Sequence, residues 1–288
     1  MRFTIGFYLQ INADSILINS SNNMTFLEYF LKYILLCSVF FAVTYGASLL
    51  IRRNKSVPEE AVILNDRFSP EKRKDFSALF IFIIYYFIHL IAPYAVSLLG
   101  NRFISEHINL IFFTFMLILV IILGRKFLWE NVKRVNEDSK NKFSIAIIGF
   151  FIYIISLIIV SILLKQIFDM TSLEKTIEDK STVSNLSFLE KLIVGCLFAP
   201  IIEEVVYRGI IFRLYRKQTK IFAHIVSAII FGAMHYIDWF VYYGNFLYIV
   251  YTIPLMLMGL LYSIIYEKTG NICWPMLLHF INNFMSII

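Results

Sequence analysis

Charge is the scarcest commodity in this chain. Asp, Glu, Lys and Arg make up 16% of 288 residues, whereas a soluble globular chain carries about 25%. Cysteine is equally thin. Cys37, Cys196 and Cys273 follow no disulfide framework or metal-binding spacing and read as small apolar packing residues. No internal repeat and no low-complexity tract breaks the sequence, and none of the polar stretches is long enough to fold as a separate domain. The segment from Arg2 to Ile18, interrupted by Gln10, Asn12 and Asp14, lacks a small-residue cleavage site. It reads as an external or interfacial arm, not a signal peptide.

What fills the chain instead is apolar. Hydrophobic residues reach 59% and aromatics 17%, and they fall in long runs, not periodic stripes. About 20 apolar residues cross a bilayer as a helix, and lipid offers backbone groups no other partner, so such runs must be helical. The expected fold class is therefore all-α, a polytopic integral membrane protein with about eight transmembrane helices. The spans are expected near 33–51, 76–99, 107–123, 143–164, 188–212, 221–240, 246–266 and 271–288. Residues 1–32 form the N-terminal arm, 33–187 hold about four N-terminal membrane helices, and 188–288 form a C-terminal membrane core. The abundance of Ile, Phe, Asn and Lys suits an AT-rich genome, which points to a bacterial plasma membrane as the location.

Basic residues orient the chain. The loops at 52–75, 124–142 and 213–220, together with Lys268, hold 18 of the 26 Lys and Arg. The positive-inside rule puts these loops in the cytoplasm and both termini outside. The net charge of +6 is then a cytoplasmic rim facing anionic membrane lipid, and no nucleic-acid partner is required. An impermeant thiol reagent added from outside should modify Ser172→Cys and spare Ser139→Cys. The reverse labelling pattern would invert the topology.

Ionisable groups inside spans carry the information, because each costs about 2.5–3.5 kcal/mol at a helix centre on insertion scales. The fifth span holds Glu203, Glu204 and Arg208. Glu204 and Arg208 are four apart and share a face, so they can pair. Glu203 is turned about 100° away and can face a cavity. The sixth span holds His235, four residues after Phe231, with Asp238 near its outer end. The eighth holds His279 and Asn283 on one face, with Asn282 turned aside. A lone buried histidine is usually satisfied by packing, and His89 and His224 are read that way, with His107 interfacial. Asn in a span is usually an interhelical hydrogen bonder. Three such sets on three helices are most simply satisfied by convergence in one cavity.

These three sets resemble the motifs of the CAAX-protease and bacteriocin-processing family of intramembrane endopeptidases. Glu203-Glu204-Val-Val-Tyr-Arg208 with Gly209, Phe231-Gly-Ala-Met-His235, and His279-Phe-Ile-Asn-Asn283 are each similar to one motif, and the resemblance spans about residues 188–288. It implies hydrolysis of a peptide bond in a membrane-associated peptide or protein substrate, connected with bacterial peptide or bacteriocin maturation or self-immunity. By that resemblance Glu203, His235, His279 and Asn283 are catalytic. Glu203 with His235 would activate water, His279 and Asn283 would stabilise the oxyanion, and Glu204 and Arg208 would support them. No cofactor is favoured. Zinc held by Glu203, His235 and His279 is the alternative, since two His and one Glu form a known catalytic zinc set, although no His-Glu-x-x-His stretch exists. Competing functions are a non-catalytic bacteriocin-immunity binding protein and a proton-coupled carrier. Carriers usually show inverted repeats, and none is found.

Overall fold

The structure, a computed structural model, describes residues 102–168, 187–216, 219–236, 240 and 245–288, with a few helical positions upstream such as Glu28 and Tyr85. The two spans expected at 33–51 and 76–99, the 52–75 loop, most of the 165–187 loop, Cys37, His89, Ser172 and Asp238 lie outside the described residues. Every regular element among the described residues is helical. Three of them, His107–Lys133, Ser139–Ile167 and Leu247–Thr269, are long and apolar enough to cross a membrane. The protein is an all-α integral membrane protein.

Helix α1 covers Arg102–Lys133 and α2 covers Ser139–Ile167. At 32 residues, α1 is about 48 Å long, more than the roughly 30 Å of hydrocarbon it must cross. The loop expected at 124–142 is therefore mostly helix. Arg125, Lys126 and Lys133 are good helix formers and carry the helix out of the membrane. Only a short turn remains, and it closes on Asp138 with φ of 51°, a left-handed conformation that Asp tolerates better than most residues. Phe151, Ile155, Ile158 and Ile162 of α2, and Ile118, Ile121 and Ile122 of α1, project outward as an apolar surface. In a bilayer that surface meets lipid.

Helix α3 runs through residues 188–216 and is not uniform. It opens with a capping box, in which Ser187 Oγ accepts from Glu190 N–H and Glu190 accepts from Ser187 N–H. It widens into π-helical turns at Lys191–Phe198 and Val205–Phe212, on either side of the regular segment Ala199–Glu204. Helix α4 covers Lys220–Ala233, capped by Thr219, whose Oγ1 accepts from Phe222 N–H. Helices α5, Leu247–Tyr251, and α6, Ile253–Thr269, run on as one span. That span ends at Gly270, which supplies the left-handed φ of 61°. Helix α7 covers Cys273–Ile287.

The sixth span departs from expectation. An uninterrupted helix at 221–240 would cross the membrane, but α4 has 14 residues and is about 21 Å long. The chain then turns at Met234–Tyr236, closed by bonds from His235 N–H to Gly232 O and from Tyr236 N–H to Ala233 O. His235 therefore sits on a turn past the helix end, not on a helix face. Non-helical backbone at membrane depth is tolerated where protein surrounds it, and Met234, His235 and Tyr236 are all buried.

Polar contacts tie the helix ends together in agreement with the charge-based topology. At the end holding the basic loops, Arg216 makes a bidentate pair with Glu267, and Lys220 lies 3.6 Å from the same carboxylate. Asn271 donates to the backbone of Asn131, whose side chain accepts from Ile272 N–H. At the opposite end His107 Nδ1 meets Glu190 Oε1 at 3.0 Å. Ends expected on one side of the membrane are thus in mutual contact.

The tightest seam joins α4 and α6. A Cβ on Gly232 would sit 2.7 Å from the backbone nitrogen of Met256, and one on Gly259 would sit 3.0 Å from Cα of Ala228. Small residues let membrane helices approach backbone to backbone. Gly232→Ala forces that backbone apart and should destabilise the protein by about 1–3 kcal/mol. A thermal or denaturant unfolding curve indistinguishable from that of the unsubstituted protein would contradict this packing.

Candidate active site

Four side chains form a buried chain of polar contacts where α3, α6 and α7 meet. Arg208 donates from Nη1 to Glu204 Oε1 at 2.9 Å and from Nη2 to the Gly259 carbonyl at 2.9 Å. The same Glu204 oxygen accepts from His279 Nδ1 at 3.0 Å. The other edge of that imidazole, Nε2, faces Glu203 Oε2 at 3.8 Å. All four residues are buried. The expected Glu204–Arg208 pair is present. What was not expected is that one imidazole reaches both carboxylates. Glu203 and Glu204 diverge by about 100° around α3, and the two nitrogens of a single ring, on opposite edges, span that divergence.

With Glu204 ionised beside Arg208, the contacts favour one arrangement of protons. Nδ1 of His279 lies on a carboxylate oxygen and therefore carries hydrogen, which leaves Nε2 of the neutral ring as an acceptor. Neither oxygen of Glu203 has a hydrogen-bond partner among the described residues. An imidazole lone pair and a carboxylate cannot bond one another directly. A water can bridge them, because two acceptors 3.8 Å apart both lie within reach of one water at about 2.8 Å, and water has a hydrogen for each.

His235 joins through Phe231. Its Nδ1 donates to the Phe231 carbonyl at 2.7 Å, which likewise assigns the hydrogen to Nδ1. The Phe231 ring lies 4.9 Å from His235 and 5.7 Å from His279, and the guanidinium carbon of Arg208 sits 4.7 Å over it. Phe231 is thus the hub between the second motif and the other two.

Asn283 answers a different need. Its Nδ2 donates to the Gly195 carbonyl at 2.8 Å, roughly two turns before Glu203 on α3. In the π-helical turns there, Ala199 N–H bonds the Val194 carbonyl. The next N–H in that register would serve Gly195, but residue 200 is proline and has none. Asn283 supplies the missing donor, and its second amide hydrogen is left for another acceptor. Asn282 donates to Asn283 Oδ1 at 3.4 Å. His224, as expected, is a satisfied histidine, bonded through Nδ1 to Ser263 Oγ at 2.8 Å.

For a metal, the donor chemistry of Glu203, His235 and His279 is suitable. Each imidazole has its Nδ1 anchored by a hydrogen bond, the usual arrangement behind a metal ligand. Among the described residues no three His, Cys, Asp or Glu are grouped as they stand to hold an ion.

Two participants escaped the sequence reading, Tyr262 and the Gly259 carbonyl, both on α6. The Tyr262 ring lies 5.2 Å from the His279 ring and 5.3 Å from the Arg208 guanidinium carbon. Nothing marks Tyr262 in sequence, since it is one aromatic among many. Pro200 did carry a signal, because a proline inside a span frees a carbonyl that another group must satisfy.

The geometry now has a context among known proteins. Residues 185–285 match the family described as type II CAAX prenyl endopeptidase Rce1-like. Over this stretch the chain is similar to the CAAX-protease and bacteriocin-processing family, as the three motifs already suggested. The matched residues contain the Glu203–Arg208 segment, His235, His279 and Asn283. A second likeness reaches further. YdiL of Bacillus subtilis (strain 168), named as a candidate membrane peptidase, is 27% identical over 187 residues, covering 62% of this chain and 70% of that protein. No solved structure gives a significant match. The matched family is one of membrane proteases, and helices α1, α2 and α5–α6 of this protein are long and apolar enough to cross a membrane.

Proposed function

We propose that this protein is an intramembrane endopeptidase that hydrolyses a peptide bond in a membrane-associated peptide or protein, using Glu203 as general base. The carrying observation is the facing pair of acceptors, Glu203 Oε2 and His279 Nε2, 3.8 Å apart in a buried site. Such a pair orients a water and takes its proton. In the reaction the water oxygen attacks the scissile carbonyl carbon while its proton passes to Glu203. The resulting oxyanion is stabilised by hydrogen-bond donors, for which the second amide hydrogen of Asn283 is the candidate. When the tetrahedral intermediate collapses, the C–N bond breaks and Glu203 returns the proton to the leaving amine.

This assignment modifies the roles first expected. We assign His279 to work with Glu203, which it faces at 3.8 Å, with its Nδ1 hydrogen committed to Glu204. Glu204 is the orienting group, and Arg208 balances its charge. His235 lies across Phe231, on a turn where it can meet the substrate backbone. Metal-free glutamate catalysis is the chemistry this arrangement supports best. The cellular setting proposed is a bacterial plasma membrane, with maturation of exported peptides or bacteriocins, or self-immunity to them, as the role.

The test is direct. Purified protein in lipid, incubated with membrane-associated leader peptides and followed by mass spectrometry, should yield two fragments whose masses sum to that of the peptide plus one water. A chelator should leave the rate unchanged. Intact peptides across a broad panel would refute the protease reading. Loss of activity on chelation, with recovery on adding zinc, would refute the metal-free chemistry and leave the protease reading in place.

A further inference from the structure

We propose that Tyr262 is a positioning residue of the active site, whose ring holds the His279 imidazole in the plane that aims Nε2 at Glu203. This rests on the proposed role of the Glu203–His279 pair. The hydrogen bond from Nδ1 to Glu204 fixes one point of the imidazole but leaves the ring able to swing about that bond. Two aromatic contacts remove the freedom. The Tyr262 ring lies 5.2 Å away at an interplanar angle of 34°, and the Phe231 ring meets the imidazole at 5.7 Å and 69°. Both separations lie within the roughly 4.5–7 Å range of favourable aromatic pairs, the Phe231 contact being edge-to-face and the Tyr262 contact tilted.

Tyr262 is itself held. It lies on α6 one turn after Gly259, whose carbonyl accepts from Arg208 Nη2, and the Arg208 guanidinium carbon is 5.3 Å from its ring. The residue is fully buried and packs 6.3 Å from Phe231. Its contacts with His279, Phe231 and Arg208 are all made by the ring. A swing that carries Nε2 about 1 Å from its place costs a reaction of this kind about 10²-fold.

Two variants and two readouts test it. In Tyr262→Leu, kcat should fall about 10- to 100-fold with KM within about twofold. In Tyr262→Phe, which keeps the ring, kcat should stay within about threefold of the unsubstituted enzyme. The second readout needs no substrate. In protein labelled with 15N-histidine, the His279 imidazole signal is assigned by its loss in His279→Gln. That signal should shift or broaden in Tyr262→Leu and stay in place in Tyr262→Phe. An unmoved signal in Tyr262→Leu would overturn the inference whether or not the protein cleaves peptides. So would a kcat loss as large in Tyr262→Phe as in Tyr262→Leu. A protein that cleaves nothing, with the signal moving as expected, would remove the protease reading and keep Tyr262 as the group that sets His279.

Discussion

Glu203→Gln should abolish peptide hydrolysis, lowering the rate by at least about 10²-fold, while the protein stays folded. The two halves of that result come from the same observation. The Glu203 carboxylate makes no hydrogen bond within the described chain, so a glutamine of the same size forfeits no hydrogen bond. It also removes a buried acid, and burying charge is costly. Stability should hold or rise. The amide, however, cannot take a proton from water, and it turns an N–H donor towards His279 Nε2, where an acceptor stood. The water then loses both its base and its orientation. Initial rates on a cleaved peptide, paired with a thermal melt, give the answer. A variant that keeps more than a tenth of the rate would show that the base is some other group.

Arg208→Met should have the largest effect on stability, a loss of about 3–5 kcal/mol. Arg208 and Glu204 are completely buried, and removing the cation strands a carboxylate with no water to solvate it. The loss should be repaired by a second change. Arg208→Met combined with Glu204→Gln removes both charges, and replacing a buried ion pair with uncharged groups is often neutral or stabilising. The double variant should recover most of the stability. Its activity should stay low, because the guanidinium also anchors α6 through Gly259 O and packs on Phe231 and Tyr262. Denaturant unfolding of the two single variants and the double variant closes the cycle. A double variant as unstable as Arg208→Met alone would mean that packing, not charge, sets the cost.

Much of this was legible in the residues. Lipid punishes charge, so Glu203, Glu204, Arg208, His235 and His279 announce themselves against an apolar background, and spacing alone pairs Glu204 with Arg208. Helical class followed from the length of the apolar runs. What hydropathy could not show is where an apolar run stops being a helix. A single His235 between Met234 and Tyr236 does not break an apolar run by itself, yet α4 ends before these three residues. Nor does hydropathy show a helix persisting past the membrane, as α1 does through Arg125 to Lys133. The wide turns of α3 were hidden for another reason. Their register depends on which carbonyl finds a donor, and the donor for Gly195 comes from Asn283, 88 residues away in sequence. Tyr262 was invisible because its value lies in its neighbours, not in its type.

The glycine seam between α4 and α6 has a mechanical meaning. Most helix pairs touch through interlocking side chains, which can change rotamer and let the pair slide. At Gly232 and Gly259 the backbones themselves are in contact, and no such layer exists to rearrange. Helices α4 and α6 therefore behave as one stiff plate. Phe231 at the end of α4 and Tyr262 on α6 ride on it together, so the aromatic walls about His279 keep their spacing however the molecule breathes. If the proposed peptide substrate enters between the described helices, the movement falls to α3 or α7 against this plate, and to Glu203 or His279 with it.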